Sequence, residues 1–108
     1  MEKVATRSLA LEAAQQEVLL DLLREHVPQA EVWAYGSRVT GRSHEGSDLD
    51  IVVRTPRNPA DPTPGVSALR EALRQSSLPM LVDVHDWADL PVSFRSRIEQ
   101  EHVVLNVA

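Results

Sequence analysis

The chain has 108 residues, of which 43% are hydrophobic and 25% charged, the composition of one soluble globular domain spanning 1–108; such a domain buries about 65% of its unfolded surface. A formal charge of −5 argues against a broad basic face, so no direct nucleic-acid binding is expected, although a local basic patch is allowed. With no cysteine there are no disulfides or thiolate zinc sites, and the opening MEKVATRSLALEAAQQ has no long apolar run, so no signal peptide or membrane span and a cytoplasmic location are expected.

Leu9 to Glu25 places Leu11, Ala14, Val18 and Leu22 at helical spacing, with Leu19 and Leu23 widening the stripe and Glu12, Gln16 and Arg24 outside it. This predicts an amphipathic helix, ended by Pro28, that packs on a sheet. A face reserved for a partner is the alternative use. A strand follows, with Val32 and Ala34 on one face and Trp33 and Tyr35 on the other, and it stops at Gly36-Ser37. Glycine there lets the backbone approach a ligand with no side chain in the way.

After a short turn or helix through Gly41, the chain loops past Gly46 and enters a second strand, Ser47 to Arg54. Asp48, Asp50 and Val52 point to one side of it, and Leu49, Ile51 and Val53 to the other. Packing does not explain that carboxylate pair. Residues two apart on a strand are roughly 6.6 Å apart at Cα, and carboxylates that converge to about 5 Å repel by roughly 3 kcal/mol at an effective dielectric near 20. A bridging cation removes the repulsion, and Mg²⁺ is the natural one, because it takes hard oxygen ligands and completes its octahedron with water and phosphate oxygens. Gly36-Ser37, at a strand end before a helix start, offers backbone N–H groups and a hydroxyl to a phosphate chain. A calcium loop is excluded, since Asp50 runs straight into Ile51-Val52-Val53 without the required glycine and glutamate.

Residues 55–65, TPRNPADPTPG, carry four prolines and form a loop. Thr63-Pro64 then reads as the N-cap and first position of a helix running to about Gln75, with Val66, Leu69 and Leu73 inward. The third strand is Met80 to His85, with Val82 and Val84 on one face against Leu81, Asp83 and His85. Asp83 is a carboxylate in the middle of an apolar strand, so it should face a cation or a sheet edge. A last helix starts at Asp89 to Pro91 and reaches about Glu101 with Phe94 and Ile98 inward, and Val103 to Val107 closes the chain as a short strand or extended tail.

Gly36-Ser37, ten residues, then Asp48-x-Asp50 resembles the signature of the nucleotidyltransferase superfamily with the DNA polymerase β-like catalytic fold. The forms GSRVTG and SDLDIVV look most like the minimal nucleotidyltransferases that act as antitoxins beside HEPN-domain toxins. The resemblance runs from about Leu9 to Val107. It implies an α/β (α+β) nucleotidyltransferase fold, a small mixed β-sheet with helices packed chiefly on one face. It also implies a third acidic residue from the neighbouring strand, a position that Asp83 in LVDVHDW matches. Asp48, Asp50 and Asp83 are then the catalytic and metal residues, holding two Mg²⁺ ions, while Gly36, Ser37 and Arg38 hold ATP. An arginine commonly follows the Gly-Ser pair in this family, although surface charge is the other reading of Arg38, and the stronger one for Arg42. His44 and His85 are read as structural, and Trp33, Tyr35 and Trp87 as core or sheet-face residues with base stacking as the alternative.

The expected activity is transfer of AMP from ATP to a hydroxyl, on a tyrosine of a partner HEPN toxin, by the antitoxin of the pair. Nothing in the sequence reads as a second domain for the acceptor, so a hetero-oligomer with the toxin is expected. Two alternatives differ in class: a non-catalytic antitoxin that occludes its toxin, which an intact acidic triad weighs against, and transfer to a small molecule such as an aminoglycoside.

Overall fold

Leu19 and Leu23 have no exposure to solvent, and their burial accounts for the first helix, α1, Ala13–His26. The structure, a computed structural model, describes residues 9–106. The helix starts four residues later than its leucine spacing predicts, because Glu12 donates its amide to the Gln15 side chain at 3.3 Å and so closes the first turn. Its buried stripe is centred on Leu19 and Leu23; Leu11, Val18 and Leu22 are only half-buried and Ala14 is exposed.

Four strands follow: β1 Glu31–Tyr35, β2 Leu49–Arg54, β3 Val82–Asp86 and β4 Val103–Asn106, ordered β3-β2-β1-β4. β1 runs antiparallel to both β2 and β4, whereas β2 and β3 are parallel, so the sheet is mixed. A parallel pair needs a crossover, and helix α3, Val66–Arg74, supplies it. Alternation decides the faces as the sequence predicts. Val32, Ala34, Leu49, Ile51, Val53 and Val84 pack against Leu19 and Leu23 of α1 and Leu69 and Leu73 of α3. Trp33, Tyr35 and Val52 on the opposite face meet Trp87 and Ile98, with Phe94 alongside, so helix α4, Val92–Gln100, covers part of that face. The rest of it stays open, and the site lies there.

Thr63 does not cap α3. Its amide donates to Asp86 Oδ2 at 2.8 Å and its hydroxyl lies 3.4 Å from Oδ1, so the helix begins only after Gly65, at a backbone φ of +91°. A Cβ at Gly65 would run into the His26 carbonyl oxygen, so that turn is closed to other residues. β3 begins at Val82 rather than Met80, because Leu81, 60% exposed, contributes only its carbonyl, which accepts from the Leu49 amide at 2.9 Å. It ends at Asp86, whose carboxylate also accepts from the Ala88 amide and turns the chain into the 3₁₀ turn Trp87–Asp89. The expected end of the last strand at Val107 lies outside the described residues. Among the described residues no helix is long and apolar enough to cross a membrane.

Candidate active site

Strand pairing sets Tyr35 opposite Asp50 and Asp50 opposite Asp83. All three lie on the face that α4 only partly covers, so two carboxylates and a phenol stand in a row across three strands. β1 ends on Gly36 at φ 84° and ψ −158°, a region essentially closed to residues with a Cβ. A Cβ built there would sit 2.5 Å from Asp50 Oδ2. The glycine is therefore what lets the β1 bend and the Asp50 carboxylate touch. Helix α2, Ser37–Thr40, starts directly from that bend, with the Val39 and Thr40 amides donating to the Gly36 carbonyl at 2.9 and 3.1 Å.

Beside this bend lies a cleft of about 770 Å³, whose lining includes Gly36, Ser37, Asp50, Asp83, Arg42 and Arg97. Of the residues singled out by sequence, the structure thus gathers Gly36, Ser37, Asp50 and Asp83 in one cavity. Asp48 is exposed at the entrance to β2 and does not line the cavity, since the strand starts at Leu49. It is close enough to act on Asp50 electrostatically. The Asp50 carboxyl is held above the ordinary carboxylate range, first by burial, then by the charges of Asp83 and Asp48, against an opposing pull from His85. Burial, then Asp50 and Asp83, likewise pushes the Tyr35 hydroxyl well up, so it stays neutral at physiological pH.

Those shifts test whether a metal fits. Among the described residues no three His, Cys, Asp or Glu side chains enclose a ready cation site, so the protein alone supplies a partial set. What it supplies is a half-buried carboxylate facing a second, more exposed one whose charge repels it, and that is an arrangement a hard divalent ion relieves. Mg²⁺ commonly takes one or two protein carboxylates and fills its remaining positions with water and phosphate oxygens, so the donor set fits it.

Arg38 stands elsewhere. It is 7% exposed and donates to backbone carbonyls: Nε and Nη2 to Ser47 at 3.0 and 2.8 Å, Nη2 to Glu45 at 3.1 Å and Nη1 to Ala10 at 2.8 Å. Neither a phosphate contact nor a solvated surface charge describes it. The guanidinium pins the loop that leads to Asp48 onto the segment before α1, and the reason is geometric, because its planar fork reaches several carbonyls at once. Arg38→Ala is expected to cost about 2 kcal/mol, from buried carbonyls losing a charged donor, and Arg38→Lys to recover little of it; urea unfolding of the two variants checks both.

Arg42 and Arg97, both exposed, carry the cationic side of the cleft, and His85 also lines it. Arg97 has a faint sequence signal: it follows Phe94 by three residues and precedes Ile98 by one, so it flanks the inward stripe of α4. Only the topology puts that helix beside Asp50 and Asp83. Trp33 and Trp87 are core, with ring centroids 5.4 Å apart and edge-to-face, and Trp33 stacks on His102 at 3.9 Å. Neither faces the cleft.

A nucleotidyltransferase domain model matches residues 17–106. A probable protein adenylyltransferase, MntA, from Haemophilus influenzae is 35% identical over 97 residues, covering 90% of this chain and 83% of the relative. Among solved structures, a toxin-antitoxin with AMP-PNP superposes with a TM-score of 0.68 at 23% identity, over 86% of this chain and 73% of its own. The toxin-antitoxin MntA-HepT superposes with a TM-score of 0.63 at 19% identity, over 90% and 74%. At those identities the two structures bear on the fold.

Proposed function

This chain belongs to the nucleotidyltransferase domain family, and we propose that it transfers AMP from ATP to a tyrosine hydroxyl of a HEPN toxin, as the antitoxin of that pair. The observation that carries the proposal is the Asp50–Asp83 pair set across parallel strands beneath the Gly36-Ser37 bend, in a cleft of about 770 Å³. The relative that is 35% identical is a probable protein adenylyltransferase, and solved structures of the same fold are toxin-antitoxin complexes, one of them with AMP-PNP. Both support a nucleotide donor and a protein acceptor. The protein is proposed to act in the cytoplasm, as one domain bound to its toxin.

In the reaction the acceptor oxygen bonds to the α-phosphorus while the bond from that phosphorus to the oxygen bridging the β-phosphate breaks. AMP ends on the tyrosine and pyrophosphate leaves. Gly36 lets the phosphate chain lie against the backbone, and the Ser37 hydroxyl holds its terminal phosphates. Asp48, Asp50 and Asp83 would hold the Mg²⁺ ions that the nucleotide brings with it. Bound there, Mg²⁺ would supply the positive charge that neutralises the phosphate oxygens and would make the acceptor hydroxyl a better acid. Asp83, at the more exposed end of the row, takes the hydroxyl proton. Arg42 and Arg97 face the charge that gathers on the departing pyrophosphate.

The test uses the purified protein, ATP, Mg²⁺ and the toxin encoded beside it. The toxin's mass is expected to rise by one or more AMP units, and an unchanged mass overturns the proposal. An Asp48→Asn/Asp50→Asn double variant that still protects cells from the toxin shifts the reading to neutralisation by occlusion.

A further inference from the structure

Asp83 sits on β3, an edge strand, with its side chain 51% exposed. Across the sheet it faces Asp50, whose charge repels it. A half-exposed carboxylate in that position relaxes by swinging toward water, away from where a cation or an acceptor hydroxyl needs it. One contact opposes the swing. His85, two residues on and therefore on the same face of β3, places its Nε2 3.1 Å from Asp83 Oδ2. Among the described residues each is the other's only hydrogen-bonding side-chain partner. His85 approaches along the strand while Asp50 lies across it, so the contact engages one oxygen of Asp83 and leaves Oδ1 free. His85 itself is paired with buried Val52 in the register of the parallel strands. No charge on the ring is needed, since the Nε2–H tautomer of neutral imidazole donates.

We propose that His85 is a positioning residue for nucleotide transfer, holding the Asp83 carboxylate against the repulsion of Asp50 so that Oδ1 is presented to the divalent ion and the acceptor hydroxyl. The inference rests on the reading of Asp83 given above. Because an exposed pair of this kind adds little to folding, its purpose is separable from stability.

The experiment compares wild type, His85→Ala and His85→Gln in two assays: Mn²⁺ binding to nucleotide-free protein by electron paramagnetic resonance, and steady-state transfer to the toxin. His85→Ala is expected to keep the wild-type Tm, to bind Mn²⁺ about tenfold more weakly, and to lose about tenfold in kcat with the KM for ATP little changed. His85→Gln, which keeps an amide donor near the Nε2 position, is expected to restore most of both. Mn²⁺ affinity and kcat within twofold of wild type in His85→Ala overturn the proposal while leaving the site reading intact, and so does a His85→Gln variant no better than His85→Ala. A wild type that neither binds Mn²⁺ nor transfers AMP overturns the site reading, and this proposal with it.

Discussion

Asp50→Asn is expected to abolish AMP transfer while leaving the metal-free protein at least as stable as wild type. The two effects have one cause. Asp50 lies in the carboxylate row opposite Asp83, with Asp48 two residues before it. Its carboxyl is raised by burial first and then by Asp83 and Asp48, so in the metal-free fold its ionised form is a source of strain. Asparagine keeps the shape and removes the charge, and among the described residues no hydrogen bond to the carboxylate is lost. Without that carboxylate the site would hold the proposed Mg²⁺ too weakly to neutralise the transferring phosphoryl group, and a loss of about a thousandfold or more is expected.

The pH dependence follows from the same shift. The folded-state pKa of Asp50 is above its unfolded value, so between the two the folded protein binds more protons and stability falls as pH rises. The penalty is fully present above the folded-state pKa and absent below the unfolded one. With chelator present, the Tm of wild type is expected to gain from this group on acidification through the carboxylate range, and Asp50→Asn to lack that gain. Added Mg²⁺ should raise the Tm of wild type at neutral pH and do little for Asp50→Asn. A wild type indifferent to Mg²⁺ would sink this account of the row.

Much of this was legible because strand alternation is a hard constraint. Reading Leu49, Ile51 and Val53 against Asp50 and Val52 fixes the two faces of β2 without coordinates, and the same rule places Asp83 and His85 together. What alternation does not give is register between strands distant in sequence. That Asp50 faces Asp83 depends on α3 crossing over to make β2 and β3 parallel; the strand pattern marks Asp83 only as a charge out of place, and it was the family resemblance that put it on the neighbouring strand. Arg38 was unreadable for a related reason. One of its acceptors, the Ala10 carbonyl, is 28 residues away, and nothing local separates a buried arginine that clamps a loop from an exposed one that meets phosphate. Thr63 had the local chemistry of a cap, but Asp86, 23 residues on, took its amide first. In each case a long-range polar partner overrode a short-range signal. Arg97 differs: its place in the cleft is set by where α4 docks.

Gly36→Ala is the sharpest test of whether the bend and the carboxylate form one unit. The backbone there stands at φ 84° and ψ −158°, and forcing alanine into such a conformation costs about 1–3 kcal/mol. The new Cβ also falls 2.5 Å from Asp50 Oδ2, so either the carboxylate turns away or the exit from β1 opens, and both separate Asp50 from Ser37. Transfer is expected to drop about a hundredfold, as reacting groups displaced by an ångström commonly do. Gly41 supplies the control. Its φ of 85° is also positive, but nothing lies within 4 Å of a Cβ built there, so Gly41→Ala should show only the cost of left-handed backbone, about 1–2 kcal/mol, and keep most of its activity. A double-mutant cycle separates the clash from the backbone cost: truncating Asp50 to alanine removes the atom that Gly36→Ala strikes, so the double variant should be more stable than the sum of its parts. Strict additivity in urea unfolding, or a Gly36→Ala protein with full transfer activity, would show that the glycine serves the chain's turn and not the carboxylate beside it.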